Sequence, residues 1–246
     1  MGADQHFDWL GTAASTLEWW RDAGIDMLVD EAPRDWFAAP PADRPAVAAA
    51  GPVVAPGALP AAALPGEIGA FLAWRLGAEA PEAAWRGVSL AASGPVQARV
   101  MVLVDCPDKD DGDAGTLLGG ETGRLFDRML AAIGLDRTTV HLAAVCARRP
   151  VAGRMPSDME ARLGEIARHH VGLVAPERLL LMGNAASRAI LAAEMPQTRG
   201  SLHPVNHRNG KTGAVASFHP RFLIEKPAAK AEAWKDLQLL MGGLTA

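Results

Sequence analysis

Residues 99–134, RVMVLVDCPDKDDGDAGTLLGGETGRLFDRMLAAIG, join an apolar run, a polar loop and a segment with helical periodicity. The run Val100–Val104 is wholly aliphatic apart from one methionine, which is typical of a strand that is covered on both faces. Polarity changes abruptly at Asp105. Because ligands bind beyond the carboxyl ends of strands in open α/β sheets, this change of polarity marks the first candidate site of the chain.

Further strands and helices are predicted to alternate along the rest of the body. The predicted strands lie at 140–145, 178–182 and 214–218, and the predicted helices at 68–77, 123–133, 156–171, 184–193 and 230–241. A strand that is followed by a helix and then by another strand normally builds a parallel sheet with helices on its faces. We therefore predict an α/β fold, a three-layer αβα sandwich around a mostly parallel four-stranded central sheet.

The region before this body divides into two parts of unusual composition. Residues 1–37 are rich in tryptophan, including Trp19, Trp20 and Trp36, and residues 38–65 are almost entirely Ala, Pro, Gly and Val. The second part predicts an extended linker, because proline removes backbone donors and no hydrophobic period is present. The tryptophan segment either packs on the domain that we predict at 66–246 or binds a protein partner, and the linker favours the partner slightly.

Composition excludes several classes of protein. No apolar run approaches the ~20 residues of a membrane-spanning helix, and the first residues lack the layout of a signal peptide, so we expect a cytoplasmic protein with no membrane partner. Two cysteines are too few for a disulfide framework or a four-cysteine metal site. The net charge is −4, but the last fifty residues are basic, which weakly indicates a nucleic-acid partner.

Several short motifs of the body occur in the order known from one family. They are the stretch 115–134, the turn Met182-Gly183-Asn184-Ala185-Ala186, the pairs Arg199-Gly200 and His219-Pro220, and the approach Lys226-Pro227-Ala228-Ala229-Lys230 to a last helix that carries Trp234. On these residues the body, from about 68 to 241, resembles the uracil-DNA glycosylase superfamily, closest to its iron–sulfur (family 4) branch. The resemblance implies a DNA partner and hydrolytic release of uracil or another deaminated base.

The same resemblance implies roles for individual residues. Asp105 and His219 fall on the catalytic positions, Cys106, Pro107, Leu118 and Ala144 on the base pocket, and Arg199, Pro220, Arg221 and Lys226 on the DNA-facing surface. Leu118 replaces the aromatic ring that stacks on the base, and Ala144 replaces the asparagine that reads its edge. The cluster cysteines fall near Arg148 and Gly164. We therefore expect a degenerate base pocket, no iron–sulfur cluster, and no other cofactor or metal.

Two clusters of charge allow more than one interpretation. The acids Asp108, Asp110, Asp111 and Asp113 lack the terminal glutamate and central glycine of a calcium loop, so we predict a solvated loop that would repel a DNA backbone. The bases Arg148, Arg149 and Arg154 serve equally well as a phosphate patch or as a solubilising rim.

Three functions follow from these observations. The first is a non-catalytic protein-binding module of DNA replication or repair, whose segment at Trp19-Trp20-Arg21 and approach to Trp234 also resemble the psi subunit of the bacterial clamp loader. The second is an active glycosylase that uses Asp105 and His219. The third is a DNA binder that retains the groove without the chemistry.

Overall fold

The computed structural model describes residues 63–153 and 155–244. The tryptophan-rich segment, including Trp19, Trp20 and Trp36, and all but the last three residues of the predicted linker lie outside these residues. Arg154, one of the three clustered arginines, also lies outside them. Among the described residues, no helix is both long enough and apolar enough to cross a membrane.

Five strands form one sheet in the described part of the chain. They are β1 (Val100–Val104), β2 (Val140–Ala144), β3 (Arg178–Met182), β4 (His203–His207) and β5 (Gly210–Ser217). Their order across the sheet is β2-β1-β3-β5-β4, with β4 antiparallel to β5 and every other neighbouring pair parallel. The mostly parallel α/β sheet is therefore confirmed, with one strand more than the four predicted.

The additional strand is β4, which the sequence pattern does not reveal. Its residues, HPVNH, contain only one buried side chain, that of Val205, and they include Pro204. Proline is tolerated at the edge of a sheet because its missing N–H can face away from the neighbouring strand. Strand β4 pairs only with β5, so it occupies this edge position. A solvated edge strand of this kind has no continuous apolar run to detect.

Helices cover both faces of the sheet. They are α1 (Ile68–Leu76), α2 (Asp111–Ala114), α3 (Gly120–Ala132), α4 (Glu160–Val174), α5 (Asn184–Leu191), α6 (Met195–Thr198), α7 (Pro220–Glu225) and α8 (Lys230–Met241), with a 3₁₀ turn at Pro227–Ala229. The five longer helices occupy the predicted places with shifts at their ends. The short helices α2, α6 and α7 lie in stretches without helical periodicity. In α8, Trp234 is 42% exposed, although its spacing predicts a core position.

The two faces of β1 enter two separate hydrophobic cores. Met101 and Leu103 pack with Phe71 of α1 and with apolar residues of α4 and α5. Val100, Val102 and Val104 pack on the other side with apolar residues of α3 and α8. Successive residues of a strand point to opposite faces of the sheet, so the five apolar side chains of β1 contribute to both cores. The three-layer arrangement follows from this alternation.

The carboxyl ends of the four parallel strands meet at one edge of the sheet. Val104 pairs in register with Ala144 and with Met182, and Met182 pairs with Ser217. The loops that begin at 105, 145, 183 and 218 therefore start side by side. This edge is where side chains distant in sequence can act together.

Candidate functional site

Asp105 directly follows β1, and its carboxylate is held by the beginning of α5. The backbone N–H of Ala186 donates to Oδ1 of Asp105 over 2.7 Å. The contact needs Gly183, since a Cβ at that position would lie 2.6 Å from Oδ2 of Asp105, and the φ of Gly183 is +108°. Burial raises the pKa of Asp105, while the N–H groups of Ala186 and Ala185 act in the opposite direction. The carboxylate is thus fixed in direction and partly desolvated.

His219 precedes α7 and is held by the first turn of that helix. The backbone N–H of Arg221 donates to Nδ1 of His219 over 3.2 Å. Burial lowers the pKa of His219 to about 4, and the positive charge of Arg221 acts in the same direction. Since Nδ1 accepts a hydrogen bond, the proton of the neutral ring resides on Nε2. At neutral pH this side chain is therefore an uncharged donor.

Both side chains line one cavity at the carboxyl edge of the sheet. Its volume is about 790 Å³. The lining residues are Asp105, Cys106, Ala152, Gly153, Met155, Pro156, Ser157, Asp158, Glu160, Asn184, Ala185, Arg188, His219 and Arg221. Within this set, the imidazole of His219 is the only aromatic ring. A carboxylate and a neutral donor that face one polar space can orient water and stabilise an anion.

Asp108 joins three loops around this cavity. Its Oδ1 lies 3.0 Å from Nη1 of Arg221 and 3.7 Å from Nη1 of Arg149, which also donates to the carbonyl of Pro107 over 2.7 Å. Burial alone would raise the pKa of Asp108, but the N–H of Lys109 and the charges of Arg221 and Arg149 together hold it below its usual value. Asp108 is therefore neutralised by arginines, which weakens the expected repulsion of DNA.

Asp111 corrects the prediction of a solvated acidic loop. Its side chain is buried, with the residue 1% exposed. Oδ2 accepts the N–H groups of Asp108 at 2.8 Å and Leu118 at 3.1 Å, and Oδ1 accepts that of Gly119 at 2.6 Å. Asp110 and Asp113 are exposed as predicted. Asp111 therefore acts as the internal support of the loop that follows Asp105.

The predicted base-pocket residues separate into two groups. Cys106 lines the cavity, and Pro107 is buried next to it. Leu118 is 1% exposed in the core formed with α3 and α8, and Ala144 packs against that same core. Neither Leu118 nor Ala144 lines the 790 Å³ cavity. The structure therefore does not bring these two positions together with Asp105 and His219 around this space.

The thiol of Cys106 is not poised as a nucleophile. Burial raises the pKa of Cys106 to about 11, and the neighbouring carboxylate of Asp105 adds to the increase. Sγ of Cys106 lies 3.9 Å from the carbonyl oxygen of Gly153. Because the thiolate is the reactive form of cysteine, this residue contributes shape and weak polarity at neutral pH.

Of the four residues predicted to face DNA, only Arg221 lines the cavity. Its side chain is 46% exposed. Arg199 instead donates from Nε to Oδ2 of the buried Asp236 over 2.9 Å and lies 4.1 Å above the ring of Phe218. Pro220 is buried at the start of α7. Lys226 is exposed, with its Nζ 5.3 Å from the ring of Phe222.

Ten of the fourteen cavity residues were not predicted as site residues, and they include the polar side chains of Asn184 and Arg188. Both belong to α5, which begins at the glycine turn after β3. Arg188 bridges Glu160 at 2.7 Å and Glu194 at 2.9 Å. The sequence around them, NAASRAIL, has the pattern of an ordinary amphipathic helix and does not indicate a site. Only their position just beyond the carboxyl end of a predicted strand could have marked them as site residues.

The residues present do not fit an iron–sulfur cluster. Arg148, at one expected ligand position, donates to Oγ of Ser89 over 2.6 Å and to the carbonyl of Trp85 over 2.7 Å. Gly164, at the other, has no side chain and would place a Cβ 3.4 Å from the carbonyl of Ala189. The whole sequence has two cysteines, whereas such clusters are held by four ligands. Among the described residues, no group of three or more His, Cys, Asp and Glu forms a metal site.

Comparisons with known proteins identify the family of the chain. A family model described as the uracil DNA glycosylase superfamily matches residues 91–238, which is more than half of the chain. The chain is 24% identical to a type-4 uracil-DNA glycosylase of Pyrobaculum aerophilum, over 65% of this chain and 85% of that relative. It is also 24% identical to a type-4 uracil-DNA glycosylase of Archaeoglobus fulgidus, over 59% of this chain and 76% of the relative.

Proposed function

This chain belongs to the uracil-DNA glycosylase superfamily, and on that premise we propose that it is a DNA glycosylase that hydrolyses the bond between a deaminated base and deoxyribose. The observation that carries the proposal is the convergence of Asp105 and His219 in one cavity. Each side chain is oriented by a backbone N–H, that of Ala186 for Asp105 and that of Arg221 for His219. The relatives named type-4 uracil-DNA glycosylase support the same reaction class.

The two side chains have complementary roles in this reaction. The carboxylate of Asp105 orients a water molecule toward C1′ of the extruded nucleotide. The C1′–N bond breaks with its electron pair leaving on the base, the water oxygen bonds to C1′, and the proton that this water loses passes to Asp105. Nε2–H of His219 donates to the carbonyl oxygen on which the negative charge of the departing base develops. A neutral donor suits this role, because an imidazolium would surrender its proton to the anion. Arg221, at the rim, faces the backbone of the DNA strand.

The test is release of free base from duplexes that contain one uracil, hypoxanthine or xanthine. We expect the wild-type protein to release at least one of them and Asp105→Ala to reduce the single-turnover rate by at least about 100-fold. His219→Gln should reduce the rate as well, since the glutamine amide donates in a different geometry. Asp110→Ala, an exposed change in the same loop, is the matched control and should leave the rate unchanged. Wild-type protein that releases none of the three bases would refute the proposal.

A second function is favoured by one specific observation. Leu118 and Ala144 do not line the cavity, and among its described lining residues the imidazole of His219 is the only aromatic ring. This arrangement suits a module that binds DNA, or a partner protein through residues 1–37, without releasing a base. Full-length chain that copurifies with a replication protein, when a chain lacking residues 1–37 does not, would support the psi-like role. Retention of the partner by the shortened chain would exclude it.

A further inference from the structure

Asn184 is an uncharged amide in the cavity, in the same turn that holds Asp105. It is the first residue of α5, two positions before Ala186, whose N–H binds the carboxylate of Asp105. Its side chain is exposed to the cavity that Asp105 and His219 also line. The reaction proposed above does not use this side chain, and the motif that contains Asn184 was given no role for it.

The orientation of this amide is fixed by the protein. The backbone N–H of Met195, at the start of α6, donates to Oδ1 of Asn184 over 3.2 Å. An N–H can donate only to the oxygen of an amide, so the NH₂ group occupies the other position. Within the described part of the chain, Nδ2 donates to no protein acceptor. The amide therefore has two N–H donors on Nδ2 that are not used within the described part of the chain, and Met195 takes one of the two lone pairs of Oδ1.

A group of this kind distinguishes deaminated bases from their parents. Deamination converts the N4 amino group of cytosine to the O4 carbonyl of uracil, and the N6 amino group of adenine to the O6 carbonyl of hypoxanthine. A donor pair binds a carbonyl oxygen and is left unpaired by an amino group. Sites built around such a hydrogen bond reject analogues that cannot complete it more strongly than apolar pockets reject a change of size.

We propose that Asn184 is a specificity-determining residue of this site and that its Nδ2 binds O4 of uracil, the carbonyl oxygen that deamination of cytosine creates, while His219 donates to the other carbonyl oxygen, O2. The inference rests on the proposed glycosylase function and adds the feature of the substrate that is recognised. It assigns the discriminating contact to an amide on α5, outside the positions of Leu118 and Ala144.

The most selective test is Asn184→Asp. Aspartate has almost the same shape and retains an oxygen for the N–H of Met195, but it replaces the NH₂ donors by an acceptor. Single-turnover base release is measured on two duplexes that differ only in the target base. One contains uracil, and the other contains pyrimidin-2-one, which retains O2 but lacks both O4 and the N3–H. An unfolding curve of each protein verifies that the fold is preserved.

We expect Asn184→Asp to reduce the rate on uracil by at least about tenfold, because a favourable hydrogen bond becomes a contact between two acceptors. The rate on pyrimidin-2-one should change far less, so the ratio of the two rates should fall. Equal losses on both duplexes would point to the added charge near Asp105 and would overturn the inference, as would an unchanged rate on uracil. In either of these cases wild-type activity leaves the proposed function intact. Wild-type protein without base release would overturn both.

Discussion

Replacing Asp111 by alanine should destabilise the domain strongly, although its sequence neighbours Asp110 and Asp113 are exposed acids. The substitution removes three hydrogen bonds from backbone N–H groups to a buried carboxylate. Hydrogen bonds to charged groups contribute about 1.5–3 kcal/mol each, and three that share one carboxylate are not additive. One of these three bonds helps to hold Leu118 at a φ of +52°, which is an unfavourable conformation for a residue with a side chain. Without Asp111 the loop loses a contact that offsets this cost. We expect a loss of about 3–5 kcal/mol in the free energy of unfolding.

The assay is equilibrium unfolding in urea, with Asp113→Ala as the matched control. Asp113 is an acid of the same short helix, α2, but it is exposed. Its replacement should change the free energy of unfolding by less than about 0.5 kcal/mol. Asp111→Asn retains one acceptor oxygen and should fall between the two. If Asp111→Ala and Asp113→Ala unfold within about 1 kcal/mol of each other, the argument that this carboxylate supports the loop is refuted.

Three further predictions follow from other buried groups. Burial raises the pKa of Asp105 above its value in the unfolded chain, so ionisation of Asp105 lowers the stability of the fold as the pH rises toward and through the folded pKa. Asp105→Asn should therefore melt at a higher temperature than wild type at pH 7, and it should lose base release. A lower melting temperature would contradict this expectation. Because His219 has a pKa of about 4, protonation of this residue should not reduce the rate of base release between pH 7 and pH 5. A fall in that rate below about pH 6.5 that is absent from His219→Gln would contradict the assignment of His219 as a neutral donor. Glu82 is 1% exposed, pairs with Arg75 and accepts the N–H of Ala147 over 2.9 Å. In urea unfolding, Glu82→Ala should lower the free energy of unfolding by about 3–5 kcal/mol, whereas Glu177→Ala, in the half-exposed pair with Arg99, should lower it by less than about 1 kcal/mol. Equal losses would contradict the argument from burial.

The parallel strands and the place of the site were predictable because each depends on a local pattern. An apolar run such as Val100–Val104 is buried on both sides only when helices cover both faces of the sheet. The register of the parallel strands then places Asp105 and the loop before His219 at the same edge of that sheet. Strand β4 was not predictable, since an edge strand with Pro204 depends on its pairing with β5 and carries no apolar period.

The role of single polar residues was less predictable, because it depends on partners distant in sequence. Asp111 and Asp113 are the same amino acid two positions apart, yet one is buried and the other solvated. Arg199, which was predicted to face DNA, contacts Asp236 and Phe218, and the sequence pattern indicates neither partner. Asn184 became a candidate only when its amide was placed against Met195. Composition and spacing contain no information about such tertiary pairings.

The attachment of Asp105 to α5 has a consequence for how the enclosure can adapt to a bound nucleotide. The N–H of Ala186 ties the carboxylate of Asp105 to the first turn of α5, and Asn184 belongs to that same turn. A displacement of α5 would therefore stretch this hydrogen bond unless Asp105 moved with the helix. His219 and Arg221 lie at the start of a separate six-residue helix, α7, so a shift of α7 would change their distance from Asp105 without stretching that bond.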